Sequence, residues 1–336
     1  MMIPKEGGHV MYLYDNETIQ WKHDDKQYCM HIHYDEYCDD PREWDHLTTM
    51  ACFHRRYSLG DKLETKSPEE FWQSLVYKHV PREEAFEAVC AGKLDGIRAT
   101  PNEVDPDCAD IYETYCLHTI LGNTEPEEVL EYERVPADSI LSYIGDDLTI
   151  DHCQTLLEPY IEWLPLWLYD HSGITMSCGK RTGQYADRWD SGCVGWIIAE
   201  KDVIMKETRQ ILRDENGNPI REEYRHPDGS VTYGVKSLPL TEETWRNRAI
   251  ELMESDVEVY DQYLTGEVYG FELYEAMSDD AIPDWNEIDS CWGFYGRNIF
   301  ENGILEHVGC GLREALESRS YELGEAELHN TTYYTF

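Results

Sequence analysis

Positive charge is what this chain has least of. Of its 336 residues only 28 are Lys or Arg, against 68 Asp or Glu, which gives a formal charge of −40 at pH 7. That balance argues against direct binding to a phosphate backbone, which needs a basic face. A CxxC pair is also lacking, and the eleven cysteines are scattered and odd in number. That excludes a secreted disulfide framework and predicts free thiols in a reducing cytoplasm. No apolar run approaches the length of about 18 residues that a membrane span needs, and the opening MMIPKEGGHV carries no apolar signal core. The expectation is a soluble, cytoplasmic chain with no membrane contact. Also absent are a phosphate-cradling GxxxxGK[ST] loop, a dinucleotide fingerprint and an HExxH zinc motif.

Core-forming material is plentiful: 41% of residues are hydrophobic and 12% aromatic, including 24 Tyr and 10 Trp. Disordered acidic tails are poor in aromatics, so this is a folded chain. Its length favours two closely joined sub-domains. The pattern of elements predicts an α+β fold, with a mixed, mostly antiparallel sheet, flanking helices and an inserted β-hairpin flap. Residues 1–66 read as an N-terminal β-rich part of the core and 67–160 as an acidic helical sub-domain. Residues 161–336 read as an α+β core with a β-hairpin insert at 200–240.

Several elements announce themselves. Residues 9–22 alternate around Asp15-Asn16-Glu17 as a hairpin would, and Cys29–Tyr34 reads as a further short strand. Ser67-Pro68-Glu69-Glu70 is a helix start, with Ser at the N-cap and Pro at the first helical position. Thr124-Glu125-Pro126-Glu127 repeats that logic and predicts a helix through about Glu133. Trp245, Ala249, Met253, Val257 and Tyr260 keep helical spacing over 241–265, and Gly266 stops that helix. Strands are expected at 164–169, 194–199, 267–275 and 290–295, the last two as a pair, with Trp167, Trp196, Phe271 and Trp292 buried. A last helix is expected at about 302–318, and an edge strand at 331–336.

Candidate chemistry gathers around the two apolar runs in Trp163–Ala199. They flank Asp170, His171 and Ser172 at one turn, and Asp190 at the entry to the second run; Asp289 recurs downstream before Ser290. These five are the catalytic candidates if the chain is an enzyme, although none of the serines lies in a GxSxG elbow. Cys29, His31 and His33 share one face of a strand by period two, as the start of a zinc site would. No second ligand pair follows at short spacing, so no metal and no cofactor are expected. Acidity is concentrated in places: residues 99–179 hold 17 carboxylates and one basic side chain, Arg134. Within that span Glu103, Asp105, Asp107, Asp110, Glu127, Glu128, Glu131, Asp146 and Asp147 are the candidate partner-binding residues.

The motifs PREWD, CFHRRYSLGD, LYDHSGITM, WDSGCVGW, YDQYLTGEVYGF and DSCWGFYG occur in that order. Together they resemble a group of proteins from phages, plasmids and gut-type Firmicutes genomes. The likeness spans roughly residues 38–75 and 160–310, and no activity comes with it. It implies an accessory protein of a mobile element, with the 200–245 flap as an addition. Combined with the charge, the expected function is inhibition of a host nucleic-acid-handling or defence protein through an acidic, DNA-mimicking surface. The expected partner is a nuclease or other defence protein with a basic face; a homodimer is left open. The alternative is a small hydrolase or ligand-sequestering protein built on the Asp/His/Ser cluster.

Overall fold

A computed structural model describes residues 10–101, 114–119, 131–136, 141, 144–186, 189–215, 217–226, 230–278 and 283–325. In chain order the first strands are β1 (Glu17–His23), β2 (Lys26–Tyr34), β3 (Thr48–Cys52), β4 (Ile97–Pro101), β5 (Thr114–Thr119), β6 (Glu131–Pro136), β7 (Ile161–Asp170) and β8 (Ile174–Cys178). After them come β9 (Ser191–Glu200), β10 (Gln210–Ile211), β11 (Arg221–Arg225), β12 (Val231–Val235), β13 (Ser237–Leu238), β14 (Val268–Ala276), β15 (Trp285–Tyr295) and β16 (Tyr321–Glu325). The fold is α+β with antiparallel sheets, as the sequence pattern predicts. The four expected strands do not share one sheet, however. Strands β14 and β15 belong to a five-stranded sheet of order β15-β14-β2-β1-β16, and β7 and β9 to a four-stranded one of order β3-β9-β7-β8.

Two compact units share the chain, which passes between them four times: residues 1–46, 166–193 and 254–336 form one, 47–165 and 194–253 the other. They are interleaved because strand pairing draws together segments far apart in sequence, whereas the expected division followed sequence order.

The first unit is built on the five-stranded sheet. Its N-terminal hairpin joins β1 to β2 through Asp24-Asp25, both with positive φ, 48° and 62°. Positive φ at both central residues is the geometry of a type I′ turn, whose twist matches the flanking strands. The hairpin is therefore centred at 24–25, not at 15–17, where the polar run Asp15-Asn16 had pointed. Period-two alternation places Met30, Ile32, Tyr269, Phe271 and Leu273 on one face, all buried with Leu13, Ile299, Ile304 and Leu312 in one apolar cluster. The expected helix over 302–318 is two short helices, Ile304–His307 and Leu312–Ser318. Left-handed Cys310 and Gly311 interrupt it. Strand β16 pairs with β1 at the sheet edge; the edge strand expected at 331–336 falls outside the described residues.

The second unit has its own core around Trp72, which meets Trp163 and Trp196 edge-on at ring distances of 5.5 and 5.6 Å. The helix Pro68–His79 begins where predicted, and the Ser67 hydroxyl accepts from the Glu70 backbone N–H at 3.1 Å. One expectation fails here: Glu131–Pro136 is strand β6, paired with β5 residue for residue, and not the end of a helix. Pairing with a neighbouring strand outweighs the upstream capping signal, which is purely local. The flap is present as two small ladders, β10 with β13 and β11 with β12, preceded by a short helix, Lys201–Glu207. Of the four aromatics expected inside, Phe271 is fully buried and Trp167 and Trp196 are half-buried. Trp292 is 47% exposed.

Candidate functional site

The face of the five-stranded sheet opposite its core carries a polar and aromatic cluster. Residues alternate along β2, so Cys29, His31 and His33 point away from Met30 and Ile32. On β14 the same alternation sets Gly270, Glu272 and Tyr274 opposite Tyr269, Phe271 and Leu273. Antiparallel register then brings the two sets side by side, pairing His31 with Glu272, His33 with Gly270, and Cys29 with Tyr274. One ligand-type atom from each of His31, His33 and Glu272 lies within 4.8 Å of the other two. The His33 Nε2 and Glu272 Oε2 atoms are 3.9 Å apart, too far for a hydrogen bond.

Neighbours hold these side chains in place. The Tyr274 hydroxyl donates to Glu272 Oε2 at 2.8 Å. Its ring lies 4.9 Å from that of His31, while the Trp292 indole stacks on His33 at 6.1 Å with planes 24° apart. The indole reaches its position because residue 270 is glycine: a Cβ there would come within 2.0 Å of Trp292 Cε3. His31 is half-buried, and desolvation pushes its imidazole below the usual histidine range, which favours the neutral form that binds metals. Burial pushes the Cys29 thiol up to about 12, so it is protonated at neutral pH. Glu272, not Cys29, completes the group with the two histidines, because its carboxylate supplies the third atom within 4.8 Å of both. Sequence spacing gave no sign of it, because the third member arrives through strand pairing from far along the chain.

The five catalytic candidates are only partly brought together. Asp170 and Asp190 are neighbours, with the Asp170 N–H donating to the Asp190 carbonyl at 2.8 Å. His171 and Ser172 are exposed in the β7–β8 turn, with Ser172 Oγ 3.2 Å from His171 Nδ1 and Ser172 held at φ 60°. Asp289 belongs to the other sheet, on β15, where its carboxylate accepts from the Ser290 N–H at 2.9 Å.

Of the acidic candidates, Asp146 and Asp147 form an exposed 3-10 turn, Gly145–Asp147. Gln73 pins that turn by donating to the Asp146 and Leu148 carbonyls at 3.3 and 3.0 Å. Glu131 opens β6. Glu103, Asp105, Asp107, Asp110, Glu127 and Glu128 lie outside the described residues. None of the nine cysteines whose side chains are described is in a disulfide, and among the described residues no helix is long and apolar enough to cross a membrane. No known protein family, no curated protein and no solved structure matches this chain.

Proposed function

We propose that the protein acts as a folded polyanion that binds a basic protein partner, of the kind that handles nucleic acids, and blocks its phosphate-binding surface. The resemblance to phage and plasmid proteins supports placing that partner among host nucleases or other defence proteins. The observation that carries the reading is surplus charge. If every Lys and Arg took one carboxylate, the deficit of 40 would still stand. Described cations are already engaged in this way, among them Lys78 with Glu200 at 2.6 Å, Lys26 with Glu275 at 2.9 Å and Arg313 with Glu306 at 2.9 Å. Exposed pairs of this kind are screened by solvent and contribute little to stability. They do not offset the self-repulsion of the remaining carboxylates, which costs stability and supports a role outside the fold itself. Duplex DNA presents one charge per roughly 1.7 Å of axis, a field that dense carboxylates can imitate without any base sequence.

Homo-oligomerisation has no such charge argument behind it, since like surfaces repel. The alternative of a small hydrolase or ligand-sequestering protein at Asp170, His171, Ser172, Asp190 and Asp289 has less support, because Asp289 lies in a separate sheet.

The test is affinity capture by the full chain from a host lysate at about 50 mM and about 500 mM salt, with duplex DNA as competitor. The captured protein is then assayed for nucleic-acid binding with and without this chain. The expected partner is released by salt and by DNA, and loses its own DNA binding in the complex. Reversal of Asp146, Asp147 and the carboxylates of 103–128 to Lys abolishes capture while the melting transition survives. Capture indifferent to salt, to DNA and to those reversals overturns the proposal.

A further inference from the structure

We propose that His31, His33 and Glu272 form a binding site for a divalent first-row transition ion, with zinc the ion its donor set suits best. Two imidazole nitrogens and one carboxylate oxygen are borderline donors, the mixture that binds Zn²⁺ and its neighbours rather than Mg²⁺ or Ca²⁺. Ligand atoms about 2.0–2.2 Å from one tetrahedral ion sit roughly 3.3–3.6 Å from each other. The three candidate atoms already lie within 4.8 Å of one another, and the His33–Glu272 pair is at 3.9 Å. Small side-chain rotations close the remainder.

The surroundings are those of a supported site. The Tyr274 hydroxyl donates to Glu272 Oε2, the oxygen 3.9 Å from His33 Nε2, and that oxygen keeps a second lone pair for an ion. Hydrogen bonds of this kind orient ligands and tune affinity. Stacking by Trp292 and a tilted ring contact from Tyr274 restrict both imidazoles, so less conformational entropy is lost on binding. The side chains of His33 and Glu272 remain 23% and 34% exposed, which leaves a path for an ion to enter. Three protein ligands also leave at least one coordination position open, for water or for an oxygen of a further ligand.

The experiment is calorimetric titration of the full chain with zinc chloride, after chelation and dialysis, at about 0.15 M salt with excess Mg²⁺ to occupy loose surface carboxylates. One equivalent is expected to bind. His33→Gln and Glu272→Gln should each weaken it by about a hundredfold, and Tyr274→Phe by about tenfold with the stoichiometry kept. Cys29→Ser should leave binding unchanged. Cobalt(II) in place of zinc should give visible ligand-field bands in the native chain and none in Glu272→Gln. Each variant's melting transition in chelator checks that it folds. Binding that disappears under Mg²⁺, or that persists equally in His33→Gln and Glu272→Gln, overturns the site. So does binding abolished by Cys29→Ser.

Discussion

The two faces of the five-stranded sheet are made by the same strands and differ by one residue of register. On one face Met30, Ile32, Phe271 and Leu273 are buried in a continuous apolar cluster. On the other, their immediate neighbours His31, His33, Glu272 and Tyr274 form a polar group whose members contact each other through rings and one hydroxyl. The first face is held by apolar area removed from water, the second by ring contacts and a hydroxyl around side chains that, Tyr274 apart, stay partly exposed. Stability and chemistry are thus separated across the thickness of a single sheet.

The sharpest way to break this comparison is truncation on each side. Phe271→Ala should cost about 3–5 kcal/mol in urea unfolding, the range for a large buried ring. His33→Ala in metal-free protein should cost no more than about 0.5 kcal/mol. Equal losses would mean that the polar face also holds the fold. Next in size is Gly270→Ala, whose Cβ must displace the Trp292 indole. A loss of about 1–3 kcal/mol is expected from such overpacking, together with a change in the His33 ring proton shifts as the stack opens.

A third prediction contrasts two carboxylates of the same unit, Glu272 at the sheet face and Asp261 on the helix Trp245–Thr265. Burial pushes the Asp261 carboxyl up from 3.8 to about 6, although its oxygen accepts the Met176 N–H at 2.6 Å. The folded state therefore holds this proton more tightly than the unfolded chain does. The stabilisation it brings is fully present below the unfolded value of 3.8 and is lost as pH rises through about 6. Asp261→Asn keeps an acceptor for Met176 and should flatten stability against pH between those two values, measured by melting temperature across the window. A profile unchanged from the native chain would show that the carboxyl titrates normally. The smallest effect is expected at the hairpin turn, where Asp25→Gly should stabilise by about 0.5 kcal/mol, because glycine takes positive φ without a Cβ clash. The urea midpoint of that variant checks it.

What could be read from the sequence depended on how local the cause was. The helix at Pro68–His79 was legible because its cap, its proline and its early carboxylates sit within four residues. The β14–β15 pair was legible from alternation and the polar stretch between the strands. The first hairpin turns at Asp24-Asp25 and not at Asp15-Asn16: both pairs carry the same turn chemistry, and the pairing of β1 with β2 decides between them. Period two placed His31 and His33 together on one face. Glu272 could not be added, because nothing local says which distant strand lies beside β2. Most of the acidic block needed no folding argument to be seen, since charge is a property of composition.

The order in which the sheet's strands are made bears on how the chain survives its own synthesis. Strand β2 pairs with β1 at once, but its other neighbour, β14, lies more than 200 residues downstream, and β16 is later still. At roughly 5–20 residues per second, a ribosome needs on the order of tens of seconds to deliver β14. Throughout that interval the first hairpin presents two unpaired edges to every other nascent chain nearby, the usual seed of intermolecular strand pairing. Its tip, with Lys22, Asp24, Asp25 and Lys26, is charged but neutral in sum, so repulsion between copies comes from the increasingly anionic polypeptide behind it. Like charge on neighbouring copies opposes their association while the hairpin waits for β14.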